Sequence, residues 1–298
     1  MRKIRQPGRS VRLLLAVIIG LGLAATIDVA RTGGPAAWLA LRGFGRPYQA
    51  LGERVDSGDR SVYLDCRGSG LPTVVLEAGM GGGAESWGSV FEALATTTRT
   101  CAYDRAGLGS SDARGRHTLL DAVVDLRSVL MAAGEAGPFI VVGHSLGGSY
   151  ARVFGSRFGT EMAGIVLVDS FDPDLETARV HPLLGELRSE YEARLDGLRA
   201  LVADVEALDW PSSEQALRGS TLAGLPIEVL RAPRAEPRLD AATNAAIAEA
   251  TEDGYASLSP GNVRYELAWG AGHMIQIDRP DLVIVAVRRL IDGWAIDG

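Results

Sequence analysis

The stretch Phe139-Ile140-Val141-Val142-Gly143-His144-Ser145-Leu146-Gly147-Gly148 decides the fold. An apolar run of four ends in glycine, and a serine follows with glycine two positions to either side. Residues 149–158 then read as a helix. The pattern is G-x-S-x-G between a strand and a helix. A turn this sharp strains the serine backbone. It also requires positions 143 and 147 to lack side chains, so that strand and helix can approach. The turn lifts the serine hydroxyl into a cleft above the helix N-terminus, which makes Ser145 the candidate nucleophile.

Outward from this turn, strands and helices alternate. Short apolar runs at 62–66, 73–77, 100–103, 165–168, 227–230 and 263–268 read as strands. Apolar residues at helical spacing mark 117–133, and 281–294 reads as a helix with Pro280 near its start. Short apolar strands between helices predict an α/β protein: a mostly parallel sheet with helices on both faces. Ligands in such sheets bind where strands end.

A serine hydroxyl is a weak nucleophile without a base. The chain has four histidines: His117, His144, His181 and His273. His144 adjoins the serine and should turn away to pack locally. His273 follows the last strand, whose loop can return over the sheet edge, so it is the candidate base. Asp169, at the end of 165–168, is the favoured acid. Glu236, in the loop after 227–230, is the alternative, and Asp172 and Asp240 are weaker options. Two backbone amides are needed for an oxyanion. Leu146, after the nucleophile, supplies one. Met80, within Ala78-Gly79-Met80-Gly81-Gly82-Gly83, is chosen for the other.

With these pieces the sequence resembles the α/β-hydrolase superfamily, in its serine-hydrolase branch near esterase-like and proline iminopeptidase-like members. The resemblance rests on 143–148, on Tyr103-Asp104-Arg105-Ala106-Gly107-Leu108-Gly109-Ser110-Ser111-Asp112, and on Gly272-His273 followed by Asp278-Arg279-Pro280. It covers 52–298. It implies an eight-stranded sheet and a helical cap inserted at 170–224. It gives the 103–112 string a structural role only. The oxyanion loop departs from the usual pattern, beginning Ala78-Gly79 where His-Gly is common. The clean Gly-x-x-Asp after the seventh strand is missing, and an acid at Asp169 fits the members that carry it after strand six. Cys66 and Cys101 would lie on the neighbouring second and fourth strands, as a cross-strand disulfide or as two buried thiols.

The implied reaction is hydrolysis of a carboxylic ester or amide through an acyl-enzyme on Ser145, with no cofactor and no metal. One alternative is a proline iminopeptidase-like aminopeptidase, with Glu186, Glu190 and Glu192 available for a substrate amine. Another is a non-catalytic binding protein on the same fold. In 170–224, apolar residues from Leu184 to Leu208 recur at steps of three or four, which predicts a helix or helix pair with a break at Gly197. This segment carries net charge −6, which should disfavour anionic substrates.

Composition limits the rest. The 298 residues are 47% hydrophobic with net charge −7, which disfavours a basic nucleic-acid binder. Two cysteines cannot make a disulfide scaffold or a Cys-only zinc site. Lys3 is the only lysine, so no lysine serves catalysis in the folded part. Arg2, Lys3, Arg5, Arg9 and Arg12 precede an uncharged run at 13–27. A helix of that length spans about 22 Å, short of the ~30 Å hydrocarbon core. Residues 1–30 therefore read as a signal peptide or an N-terminal membrane anchor, with the body extracytoplasmic. Residues 31–51 read as a linker.

Overall fold

Each apolar run read from the sequence becomes a strand of one eight-stranded sheet. The computed structural model describes residues 48–58 and 60–297. The expected targeting segment and most of the linker lie outside the described residues. The strands are β1 (Glu53–Asp56), β2 (Ser61–Arg67), β3 (Thr73–Glu77), β4 (Thr100–Tyr103), β5 (Phe139–His144), β6 (Met162–Val168), β7 (Ile227–Arg231) and β8 (Val263–Leu267). Their order is β1-β2-β4-β3-β5-β6-β7-β8. The pairs β1/β2 and β2/β4 are antiparallel and the others parallel.

Strand periodicity sends alternate residues to opposite faces. Val75 and Val141 join one core with Leu126, Leu130, Tyr150 and Phe154. Val74, Leu76, Ile140 and Val142 join the other with Phe91, Leu94, Val283 and Val287. Helices α1 (Gly88–Leu94), α2 (Leu119–Ala132), α3 (Leu146–Arg157), α4 (Arg188–Val205), α5 (Trp210–Arg218), α6 (Ala241–Ala256) and α7 (Pro280–Asp297) complete the layers. α2 and α3 cover the first face, α1 and α7 the second. A reciprocal cap between Thr118 and Asp121 starts α2.

The structure corrects two details. α4 runs unbroken through Gly197, where an added side chain would meet open space. The break comes instead at 206–209, before α5. The folded body also starts before residue 52: the Tyr48 hydroxyl donates to Asp65 at 2.7 Å, and Arg67 lies over the rings of Tyr48 and Phe91. Cys66 and Cys101 face each other across β2 and β4 with Cα atoms 4.0 Å apart, and they are disulfide-bonded. No helix among the described residues is long and apolar enough to cross a membrane.

Candidate active site

Ser145 joins β5 to α3 with φ 51° and ψ −119°, a left-handed conformation that non-glycine residues rarely adopt. Its N–H donates to Val168 O at 3.0 Å, and its carbonyl accepts from Gly148 N at 3.0 Å and Phe171 N at 2.8 Å. The strained turn is therefore anchored on both sides. A side chain at Gly143 would overlap the Gly147 backbone, and one at Gly147 would overlap the Glu77 carbonyl. Ser145 is part-exposed between buried neighbours.

One strand over, β6 ends at Asp169, which is also left-handed at φ 39°. Its carboxylate is buried. Oδ2 accepts from His273 Nδ1 at 2.7 Å, and Oδ1 accepts from Ala232 N at 3.2 Å. Arg234 pairs with Oδ2, and Arg231 stands 3.5 Å from Oδ1. Burial pushes this carboxyl up. The His273 hydrogen bond and the two arginines outweigh it and bring the group down to about 2. An ionised carboxylate only accepts, so His273 Nδ1 carries the proton of that bond, which in the neutral ring places the lone pair on Nε2.

His144 serves this pair. Its Nε2 donates to the His273 carbonyl at 2.9 Å, with ring centroids 4.7 Å apart. Burial first, and then the nearby His273 ring, lower it to about 4 and keep it neutral. His117 and His181 are buried elsewhere in the fold.

The other proposed acids do local work. Glu236 accepts from the Tyr191 hydroxyl and from Arg238 Nε, both at 2.7 Å, and is not brought to His273. Asp172 pairs with Arg152 and accepts from Leu175 N at 3.1 Å. Asp240 accepts from Thr243 N at 2.8 Å.

The glycine-rich loop lies against the serine. A Cβ on Gly79 would sit 3.4 Å from Ser145 Cβ and 2.8 Å from His144 Nδ1. Its later amides are engaged: Gly81 N with Glu206 at 2.7 Å, Gly82 N with Gly79 O at 3.1 Å, Gly83 N with Glu85 at 3.1 Å and Ala84 N with Asp104 at 2.9 Å. The Met80 and Leu146 amides donate to no acceptor among the described residues.

Sequence reasoning missed what holds this loop. Arg105 is buried and uses all five of its N–H groups. Nη1 donates to Glu77 at 2.6 Å and Ala78 O at 2.7 Å, and Nη2 to Gly79 O at 2.7 Å and Glu206 at 2.6 Å. Nε donates to Glu206 at 3.1 Å. Tyr103 donates to Glu77. The signal available was a glutamate closing the apolar run at 73–77, since a buried carboxylate needs a cation.

The α/β hydrolase family model matches residues 74–287. The chain belongs to the α/β hydrolase family. The chain is 40% identical over 92 residues to a carbamate-hydrolase candidate, RutD of Azorhizobium caulinodans, covering 30% of this chain and 34% of that one. It is 33% identical over 104 residues to the uncharacterized YqjL of Bacillus subtilis, covering 35% and 41%. The chain thus matches less than half the length of these relatives. Among solved structures it resembles an esterase of Thermogutta terrifontis (TM-score 0.53, 18% identity, 83% of this chain and 99% of that one). It also resembles a proline iminopeptidase of Mycobacterium smegmatis (TM-score 0.55, 16% identity, 83% and 100%). At these identities the likeness is one of fold.

Proposed function

We propose that the protein is a serine hydrolase that cleaves a carboxylic ester or amide by acyl transfer. The observation that carries this reading is the His273–Asp169 hydrogen bond beside a serine held at φ 51° in a strand-to-helix turn. His273 Nε2 takes the Ser145 proton as Oγ adds to the substrate carbonyl. The carbonyl oxygen becomes an oxyanion held by the Met80 and Leu146 amides. Asp169 stabilises the imidazolium that forms. The C–O or C–N bond breaks as His273 protonates the leaving alcohol or amine. Water, activated by the same histidine, adds to the acyl-enzyme and releases the acid.

Esters are favoured over peptides with a free amine. Of the three glutamates offered for an amine, Glu190 pairs with Arg238 and Glu192 with Arg188, each at 2.7 Å, which leaves Glu186 alone, exposed on the insertion. Arg152, Arg105 and Arg238, all outside the insertion, pair with its Asp172, Glu206 and Glu190, so the field of the insertion is weaker than its formal charge suggests. The basic tail with its apolar run, together with the Cys66–Cys101 bridge, supports a body outside the cytoplasm, secreted or held by an N-terminal anchor.

A fluorophosphonate probe is expected to label the wild type and not Ser145→Ala, which should lose at least ~10⁴-fold in p-nitrophenyl ester hydrolysis. Labelling retained in Ser145→Ala rejects the nucleophile. An unlabelled, inactive wild type points to a binding protein. Prolyl-arylamides cleaved in preference to esters favour the aminopeptidase reading.

A further inference from the structure

Glu206 belongs to the insertion, far in sequence from the serine, yet its buried carboxylate ends beneath the oxyanion loop. Its two oxygens accept three hydrogen bonds, one from Gly81 N and two from Arg105. Arg105 in turn fixes the carbonyls of Ala78 and Gly79. The Gly79–Met80 peptide is trans, so its C=O and N–H point in opposite directions. A Gly79 carbonyl held on Arg105 turns the Met80 N–H away from that guanidinium. Glu206 also occupies the Gly81 amide, the next donor along the loop.

The corner that carries Glu206 is rigid. Ala207 is left-handed at φ 52°, a strained conformation for alanine. Its carbonyl accepts from His117 N at 3.1 Å, and Asp209 N donates to His117 O at 2.6 Å. Val205 adjoins the same loop, its Cγ1 within 3.3 Å of a Cβ built on Gly81. Three non-glycine residues among those described have positive φ: Ser145, Asp169 and Ala207. Two of them are proposed catalytic groups, and the third presents Glu206.

We infer that Glu206 is a positioning residue for the oxyanion hole, so that the hole is complete only while the insertion is seated on the loop. Removing its carboxylate leaves Gly81 N without an acceptor and Arg105 with two idle donors. The Gly79–Met80 peptide then keeps its Gly82 and Arg105 contacts but loses the insertion's anchor on the next amide and on the guanidinium. The inference rests on the acyl-transfer reading with Met80 as a donor.

The test compares wild type, Glu206→Ala, Glu206→Gln and Val287→Ala, the last a core truncation in α7. For each, fluorophosphonate labelling, Tm, kcat and KM for a p-nitrophenyl ester, and Ki for an alkyl trifluoromethyl ketone are measured. The ketone becomes tetrahedral on serine and so reports the hole. Both Glu206 variants are expected to lose ten- to a hundredfold in kcat, below the full loss of a donor, with KM within about threefold. Ki should rise in parallel. Val287→Ala should lose Tm and keep kcat. A folded Glu206→Gln with kcat and Ki within twofold of wild type overturns the inference, as does an equal loss in Val287→Ala. If Glu206→Ala does not fold, Glu206→Gln decides. A wild type that is neither labelled nor active instead removes the acyl-transfer reading, and this inference with it.

Discussion

Strands β6 and β7 lie side by side, and the loop after each carries a carboxylate lowered to about 2. The two reach that value by different routes. Asp169 is buried and works against desolvation, with His273, Arg231 and Arg234 as its partners. Glu236 is held down by hydrogen bonds from Arg238 and then Tyr191. The lesson is that a depressed carboxyl measures local cations and donors, not a catalytic role. What separates the two is reach: Asp169 closes a strand whose end abuts Ser145, whereas Glu236 lies five residues beyond the end of β7 and turns to the insertion.

The sharpest way to break this comparison is to neutralise each acid in turn. Asp169→Asn keeps the shape but favours the wrong His273 tautomer, so kcat for an ester should fall by about 10⁴-fold. Glu236→Gln should stay within about twofold, because its partners are surface groups outside the site. Reversed magnitudes would exchange the roles.

His144 is neutral in the fold down to about pH 4. An unfolded histidine takes a proton near pH 6.5. Between those values the unfolded chain binds the extra proton, so stability falls as pH drops from 6.5 to 4, by up to about 3 kcal/mol. His144→Gln keeps a donor for the His273 carbonyl and removes the titration. Its urea-unfolding free energy should vary less with pH across that window. Asp169 contributes in a lower window: its stabilisation is present above the ordinary carboxyl range and is lost toward pH 2.

The smallest effect belongs to Arg234, half-exposed and sharing Asp169 Oδ2 with His273. Arg234→Gln should change kcat by less than about threefold, since the His273 hydrogen bond and Arg231 remain. Asp169 would be held down less firmly, so the acid-unfolding midpoint should move to higher pH. A large kcat loss would make Arg234 part of the acid's working geometry.

The Ser145 turn, the loop of His273 and the strands that carry them are legible in the sequence, because each is a short-range pattern. Asp169 was reachable from its place at a strand end. Three elements were not legible. β1 is Glu-Arg-Val-Asp, with one apolar residue to reveal its alternation. α6 is alanine-rich, with Ile247 and Tyr255 its only large apolar residues, so no stripe marks its face. α4 passes Gly197 because that face meets only solvent, where the entropic cost of glycine is offset by good helix formers on either side. The brace of Glu77, Arg105 and Glu206 joins residues 28 and 101 positions apart, and no local period announces that kind of meeting.

The three left-handed residues have one further consequence. At such positions glycine relieves backbone strain, so the substitutions that would most directly steady the chain fall at Ser145, Asp169 and Ala207. Selection for thermal robustness alone would therefore wear away the proposed catalytic pair and the corner that presents Glu206. On the acyl-transfer proposal, Ser145, Asp169 and Ala207 are the places where durability is given up for turnover.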